Sequence, residues 1–340
     1  MKHTFEDRIR DIIDRVLGTR RGLEVMSDVM SQKGFSVLRQ ARLDMFPSVD
    51  DPDRIAAART GVILDTETTG LDPASDRITE LAMLRFKYED DGTILCLDGL
   101  FHEFNDPQMP IPADVTALTG ITDAMVSGAC ITQADIDAFV ADVGLVIAHN
   151  AAFDRQMIEG NFPACRLGSL NWACSHNEID WKARGKKGGS LEVLAIAEGI
   201  TFGSHRADAD VIATAFVLNG TSDGHGAPFA EMLENARKAT LHIVAANSPF
   251  DSKDELKARG YKWCPAEDTV CGHSKVWHRE IIADAATVAD EKAFLRDKVF
   301  MRDVTIPAFR KTAATRYSAR SGVEMEFSTR QEIDAVGEPA

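Results

Sequence analysis

The sequence of 340 residues lacks three features that would each indicate a particular class of protein. It has no apolar run of membrane-spanning length, and its first residues, MKHTFEDRIRDIIDRV, contain no apolar segment of the kind that secretion signals need. It has only six cysteines, scattered between positions 96 and 271, which without a secretion signal predicts reduced thiols. These absences predict a cytoplasmic protein with no membrane partner.

The sequence also lacks an excess of positive charge. Its net charge is −15, and residues 61–220, with 10 Lys and Arg against 24 Asp and Glu, carry nearly all of it. This balance argues against a broad basic face of the kind that binds duplex nucleic acid. It leaves room for a narrow substrate that is held chiefly by metal ions.

The stretch GVILDTETTG, residues 61–70, ends an apolar run with two carboxylates. Val62 to Leu64 are typical of a short buried strand, and Gly70 begins a turn. Because residues two apart in a strand point to the same face, Asp65 and Glu67 are predicted to lie side by side. Two such carboxylates favour a divalent cation between them, although a strand end also carries acidic residues for solubility or capping.

Two further stretches offer more ligands of the same kind. In LVIAHNAAFD, residues 145–154, a second buried-strand pattern leads into a turn and then Asp154. In HRADAD, residues 205–210, a histidine and an aspartate stand five apart at the start of an apolar helical pattern. If His205 lies in the loop before that helix and Asp210 in its first turns, both side chains reach a common point.

The order DxE, HNxxFD, HxAxxD resembles the DEDDh branch of the DnaQ-like 3′-5′ exonucleases, which includes the DNA polymerase III epsilon-like proteins. All five signature positions are present, and ALTGITDAMV also resembles the family segment between the first two motifs. The resemblance covers about residues 61–220 and implies a ribonuclease H-like fold, in which a mixed sheet is flanked by helices. The catalytic residues that it implies are Asp65, Glu67, Asp154, His205 and Asp210.

The resemblance also implies a mechanism that suits these residue types. Two divalent ions, Mg²⁺ or Mn²⁺, about 3.5–4 Å apart would neutralise the phosphodiester and stabilise the leaving oxygen. Asp65 would bridge both ions, Glu67 and Asp210 would complete the site of one, and Asp154 would hold the other. His205 would be the general base, because an imidazole can take a proton from the attacking water near neutral pH. A surface histidine at a helix start is the simpler alternative.

Several other residues are candidates for contact with substrate. The turn after the first strand and the second motif supply five of them, and a glycine-rich basic loop between the second and third motifs supplies two. That loop belongs to the segment WACSHNEIDWKARGKKGGS, residues 172–190, and a solvated charged surface is an equal interpretation of it. The candidates are Thr68, Thr69, Leu71, Asn150, Phe153, Lys186 and Lys187.

Outside the central segment the patterns predict smaller units. The predicted organisation is a helical N-terminal segment (1–60), the exonuclease domain (61–220), a small α/β accessory module (227–328) and a polar tail (329–340). In the module, Ser252 and Glu255 are typical of a capping box, and Tyr261 to Trp263 are predicted to pair with Val276 to Arg279. Its aromatic and basic residues favour a core role over single-strand stacking, and a zinc site at Cys264, Cys271, His273 and His278 fits no strong template.

The sequence therefore predicts a metal-dependent 3′-5′ exonuclease that releases nucleoside 5′-monophosphates from a single-stranded 3′ end, with DNA favoured over RNA. Alternatives within the enzymes are an RNA or short-oligonucleotide exonuclease and a proofreading subunit, whose polymerase or repair partner would bind the C-terminal module. The alternative of a different class is a non-catalytic protein that binds nucleic-acid ends. The presence of His205 argues against it, because binding alone has no need of a general base.

Overall fold

The computed structural model describes residues 29–30, 32–35, 37–221, 224–320 and 322–330. Its strands are β1 (Arg39–Gln40), β2 (Arg59–Thr68), β3 (Ile78–Tyr88), β4 (Ile94–Phe104), β5 (Val143–Ala148), β6 (Asn171–Cys174), β7 (Ile200–Thr201), β8 (Thr240–Ala245), β9 (Lys262–Cys264), β10 (Val276–Ile282), β11 (Thr305–Lys311) and β12 (Val323–Ser328). Its α-helices are α1 (Pro52–Ala57), α2 (Ala113–Thr119), α3 (Asp123–Val126), α4 (Gln133–Phe139), α5 (Ala151–Asn161), α6 (Leu191–Ala197), α7 (Ala207–Leu218), α8 (Pro228–Arg237), α9 (Lys253–Ala258) and α10 (Ala285–Phe294).

The central sheet has the strand order β4-β3-β2-β5-β6. β2, β3 and β4 are antiparallel neighbours, whereas β5 runs parallel to β2 and β6 runs parallel to β5. This mixed order, with helices on both faces, is the predicted ribonuclease H-like fold. Because β2 and β5 are parallel, their carboxyl ends lie at one edge of the sheet. The first motif lies in the last residues of β2, and the second motif directly follows β5.

Alternating side chains of the central strands fill two hydrophobic cores. Ile63 and Leu84 point to one face, where they pack with α6, α7 and α8, while Val62 and Leu64 point to the other, where they pack with α4 and α5. β2 is buried on both faces, which explains the run of three consecutive apolar residues at its centre, Val62 to Leu64. The sheet is therefore a rigid support for residues at its edge.

The predicted N-terminal helical segment is described only in part. The apolar stripe from Ile9 to Leu17 lies outside the described residues. Closer to the sheet, β1 pairs with β7 in parallel, and Phe46 packs edge-on against Phe216 of α7 at 5.3 Å between ring centroids. Asp51 caps α1 by accepting a hydrogen bond from the backbone N–H of Arg54, so a short helix precedes β2 directly.

A second sheet lies in the C-terminal part, with the strand order β12-β11-β8-β10-β9. β9 and β10 form the predicted antiparallel pair, with Trp263 opposite Trp277. The predicted capping box at Ser252 is wrong. The Ser252 hydroxyl donates to the backbone oxygen of Val299, 47 positions away, so a tertiary contact has displaced the local one.

The aromatic residues of this module divide between core and surface. Tyr261 is buried and its hydroxyl donates to Glu291, which is itself buried, whereas Trp263 is 50% exposed. The four residues weighed as a zinc site are not among the metal-like groups that the described residues form. His278 instead hydrogen-bonds His242, with 3.0 Å between Nδ1 and Nε2, which takes its ring away from the cysteines.

Candidate active site

The end of β2 brings three predicted ligands together. Asp65, Glu67 and Asp210 each offer a carboxylate oxygen within 4.8 Å of the others. Asp65 and Glu67 lie two apart in β2, and α7 packs across β2 and β3, which brings Asp210 of its first turns over them. The register of β2 against β3 shifts between Glu67 and Thr68, and such a bulge re-aims side chains at a strand end.

Asp154 reaches the same edge from the other side. It lies in the first turn of α5, directly after β5, and it is buried. Both the backbone N–H and the hydroxyl of Thr66 donate to its Oδ1, at 3.1 and 2.9 Å. Because Thr66 stands between Asp65 and Glu67, the second motif is fixed to the first by these two bonds.

His205 precedes α7 in an unusual backbone conformation. Its φ of 63° is in the left-handed region, which only a small fraction of non-glycine residues adopt. The next residue, Arg206, is the N-cap of the helix and has an extended backbone. His205 is therefore in the loop before the helix, as predicted, and its strained conformation is of the kind that functional sites retain.

The carboxylates are held close in a way that disfavours their charged forms. Burial raises the pKa of Asp65 well above its usual range, and Asp154, Asp210 and Glu67 raise it further. Burial first, and then Asp210, raises the pKa of Glu67 to about 8. Burial likewise raises the pKa values of Asp154 and Asp210 to about 7. A cation among these groups would reverse the penalty.

An oxygen without a partner supports the fit of a hard divalent cation. Oδ1 of Asp210 is buried and receives no hydrogen bond, although buried carboxylate oxygens are normally paired. The donor set is entirely oxygen, which is the set that Mg²⁺ and Mn²⁺ prefer. Asp65, Glu67 and Asp210 therefore have the chemistry and the spacing to hold such an ion.

The residues predicted to contact substrate have different fates. The hydroxyls of Thr68 and Thr69 are used inside the turn, where they donate to the Gly70 carbonyl and to Asp76. Leu71 is 82% exposed and is available to a ligand. Asn150 is exposed at the start of α5, while Phe153 is half-buried and packs on the core.

The two lysines of the basic loop also differ in their exposure to solvent. Lys187 is exposed, but Lys186 forms an ion pair with Glu198 at 2.8 Å and both side chains are nearly buried. The preceding Arg184 is buried too and pairs with Glu231 of α8. The loop thus uses the charges of Arg184 and Lys186 to attach itself to the protein, and the predicted contact of Lys186 with substrate stays a prediction.

Comparison with known proteins agrees with the motifs. The model of the exonuclease family matches residues 62–218. These residues belong to the exonuclease family. The matched segment contains all five predicted catalytic residues and the central sheet except for the first three residues of β2.

Proteins similar to the chain include DNA polymerases and exonucleases. The PolC-type DNA polymerase III of Lacticaseibacillus paracasei is 30% identical over 177 residues, which is 50% of this chain and 12% of the relative. That of Halalkalibacterium halodurans is 36% identical over 109 residues, 32% of this chain and 7% of the relative. The chain thus spans only a small part of these relatives.

Among solved structures, exonuclease X in complex with 5′ overhanging duplex DNA is 24% identical, with a TM-score of 0.39 over 51% of this chain and 98% of that chain. Exonuclease I in complex with the inhibitor BCBP is 16% identical, with a TM-score of 0.40 over 55% of this chain and 49% of that chain. Among the described residues no helix has both the length and the apolar character needed to cross a bilayer.

The structure of the exonuclease domain adds a residue that the motifs missed. Glu80 of β3 lies directly opposite Glu67 and is fully buried. Its carboxylate accepts hydrogen bonds from Arg206 at 2.8 Å, from the backbone N–H of Ala207 at 3.0 Å, and pairs with Nε2 of His102 at 2.6 Å. The signal in the sequence was a single carboxylate within the apolar run ITELAML.

Glu80 fixes the start of the helix that carries the third motif. Burial alone would raise its pKa, but the bonds from His102 and Arg206 and from the backbone of Ala207 bring the pKa down to about 2. The same carboxylate raises the pKa of His102. Glu80 is therefore an anion at working pH, and it holds the helix start next to His205.

Glu80→Gln is expected to lower kcat about 100-fold, because a neutral amide cannot accept from all three donors and a small displacement of a catalytic group has an effect of that size. The measurement is single-turnover hydrolysis at saturating metal. Glu103→Gln, an exposed position on the neighbouring strand, is the matched control and should behave as wild type. A wild-type rate for Glu80→Gln would remove Glu80 from the positioning of the site.

Proposed function

We propose that the protein is a divalent-metal-dependent 3′-5′ exonuclease that releases nucleoside 5′-monophosphates from a single-stranded 3′ end of DNA. The observation that carries the proposal is the oxygen cluster of Asp65, Glu67 and Asp210, which includes a buried oxygen with no hydrogen-bond partner. Asp154 follows β5, the strand parallel to β2, and His205 lies in the loop before α7, the helix that carries Asp210. Binding without catalysis would leave this costly cluster of carboxylates without a use.

The protein residues divide the work of hydrolysis. Two divalent ions, when bound, supply charge neutralisation at the phosphate and at the oxygens that attack and leave. Asp65, Glu67 and Asp210 would hold one ion, and Asp154, which accepts two hydrogen bonds from Thr66, would hold the other. His205, in the loop before α7, accepts the proton of the attacking water.

Two features support a narrow substrate end. The domain is strongly acidic, which disfavours contact with a long duplex backbone. Leu71, exposed in the turn directly after the catalytic strand, offers an apolar surface against which a terminal base can stack. The polymerase relatives favour DNA over RNA, since both are named as DNA polymerases.

The test is digestion of 5′-labelled single-stranded DNA and of RNA with the same sequence, in Mg²⁺, Mn²⁺ or EDTA. We expect a ladder that shortens from the 3′ end, depends on the metal, and forms faster on DNA. A faster reaction on RNA would reassign the substrate to the RNA alternative. An absence of products from both strands would contradict the proposed activity.

His205→Asn is expected to lower kcat by about 10²–10⁴-fold and to leave the substrate KM nearly unchanged, because asparagine removes the base. Asparagine also tolerates a positive φ, so the loop conformation is retained. Stopped-flow or quench-flow measurement of the first cleavage gives the rate constant of the chemical step, without the contribution of product release. His225→Asn, an exposed position before α8, is the control. Unchanged turnover in His205→Asn would exclude His205 as the base.

A further inference from the structure

The connection between β11 and β12, residues 312–320, lies on the exonuclease domain. The backbone N–H of Trp172, at the edge strand β6, donates to the carbonyl of Ala313 at 2.8 Å. The Ser318 hydroxyl donates to Glu159 of α5 at 2.6 Å. The C-terminal sheet is thus attached to the helix that carries the second motif.

Arg155 is the centre of this attachment. Its side chain is completely buried, and its guanidinium stacks on Trp172 at 5.4 Å from the ring centroid. One terminal nitrogen donates to the carbonyls of Arg316 and Ala313, and the other donates to those of Ala314 and Gly168. The Nε atom donates to Glu159 at 3.0 Å. Every donor of a planar, rigid group is therefore used.

A second set of contacts holds the same connection from its other side. Glu178, which follows β6, accepts hydrogen bonds from the Arg316 guanidinium and, at 2.9 Å, from the Tyr317 hydroxyl. Arg316 also donates to the carbonyl of Lys238. Arg316 and Glu178 are both buried, so this is an enclosed network and not a flexible surface contact. The 312–320 connection is consequently held in one position, in contact with α5.

Arg155 is the residue directly after Asp154 in α5, so a shift of one moves the other. A displacement of the helix would break several buried charge-assisted hydrogen bonds at once, which makes such a displacement costly. We infer that the 312–320 connection positions Asp154 through Arg155, and that the C-terminal module is thereby part of the catalytic unit. This inference rests on the proposed function, in which Asp154 holds a metal ion.

Arg155 binds residues that lie beyond the segment matched by the family model. The family match ends at residue 218, whereas the carbonyls that Arg155 binds belong to residues 313, 314 and 316. The matched segment alone lacks those three carbonyls, and it would leave the Arg155 guanidinium with only Glu159 and the Gly168 carbonyl as acceptors. The accessory module is therefore needed for correct geometry at a site to which it contributes no ligand.

The first test compares Arg155→Met with Arg320→Met in the full chain. Both changes remove a guanidinium that bonds Glu159 and the Gly168 carbonyl, but Arg320 is mostly exposed and lies far from Asp154 in sequence. At a temperature where circular dichroism shows native content, Arg155→Met should lower kcat about 10- to 100-fold. It should also raise the metal concentration for half-maximal rate about tenfold, and Arg320→Met should do neither.

If Arg155 has only a structural role, Arg155→Met will lower the melting temperature of the protein and leave the metal dependence of the folded protein unchanged. That result would overturn the inference. An inactive wild-type protein would instead overturn the proposed function, so the two failures are distinct. If Arg155→Met does not fold, the wild-type protein supplies the decisive measurement.

That measurement is amide hydrogen exchange of the wild-type chain, with Mn²⁺ or with EDTA. Because coupling between two sites is reciprocal, metal binding should slow exchange severalfold in residues 312–320 as well as in α5. Slower exchange in α5 with unchanged exchange in 312–320 would show that the connection does not sense Asp154, and would overturn the inference.

Discussion

Asp65→Asn is expected to lower kcat by at least about 10³-fold at any metal concentration, because residues that act as one catalytic unit show effects of this size or larger. Asp65 offers a carboxylate oxygen within 4.8 Å of those of Glu67 and Asp210, and the nearby charge of Asp154 raises its pKa as well. An amide removes the negative charge and keeps one weak oxygen ligand. Steady-state and single-turnover rates on labelled single-stranded DNA give the size of the loss.

The same substitution is expected to stabilise the protein when metal is absent. Burial and four neighbouring carboxylates disfavour the charged form of Asp65, and asparagine removes that penalty. Thermal melting in EDTA should therefore show a higher midpoint for Asp65→Asn than for wild type. Asp114→Asn, an exposed position in α2, is the control for both measurements. A folded Asp65→Asn protein with the wild-type rate would contradict the catalytic role, and a lower midpoint would contradict the electrostatic argument.

The second large effect that we expect is stabilisation of the folded protein by bound metal ions, which increases as the pH rises. In the unfolded chain the carboxyls lose their protons near pH 4, whereas in the metal-free folded protein Asp154 and Asp210 keep theirs to about 7 and Glu67 to about 8. Over that interval the folded state binds more protons, so these groups make the free energy of unfolding fall as pH rises from about 4 to 8. Bound metal ions require the ionised form and compensate its repulsion.

The measurement is the difference between the melting temperatures in Mn²⁺ and in EDTA. At pH 8, with metal at 100 times its dissociation constant, the stabilisation is about 2.7 kcal/mol, which corresponds to about 5–10 °C. It should shrink towards zero near pH 5, as protons occupy the carboxylates. An equal difference at both pH values would contradict the assignment of these residues as ligands.

The difference is a better readout than either melting curve alone. Burial lowers the pKa values of His149 and His278 to about 4, so the unfolded chain binds more protons at these positions between about pH 4 and 6.5. These two histidines therefore make the free energy of unfolding rise with pH in that range, which opposes the effect of the carboxylates. Because the histidines contribute equally with and without metal, subtraction removes them. Asp65→Asn should lose most of the difference.

The sequence alone was sufficient for the fold class and the family. The strand patterns at Val62–Leu64 and at the second motif are local, with apolar runs that end in turns, and such signals survive in a single sequence. The order of the three motifs then led to the exonuclease family, which the match over residues 62–218 confirms. The site residues follow from the same motifs and stay predictions until the variants are measured.

The contacts that the motifs did not reveal join residues far apart in the chain. Glu80 meets Arg206 across 126 positions, and Arg155 meets Arg316 across 161. No local pattern marks such pairs, because an isolated charge in a sequence is read as solvated until its neighbours are known. The same reason explains the basic loop, where Lys186 was expected at the substrate and is paired with Glu198.

Local chemistry therefore indicated the residues that we propose for catalysis: two carboxylates at the end of a strand, a third after the parallel strand, and a histidine before a helix. Tertiary structure alone decided what holds them in place. Glu80 accepts a hydrogen bond from the start of the helix of the third motif, and the C-terminal connection accepts hydrogen bonds from Arg155, the residue next to Asp154. The physical reason is that ligand types follow from spacing along a strand or helix, whereas support depends on burial and on partners that only the folded chain brings together.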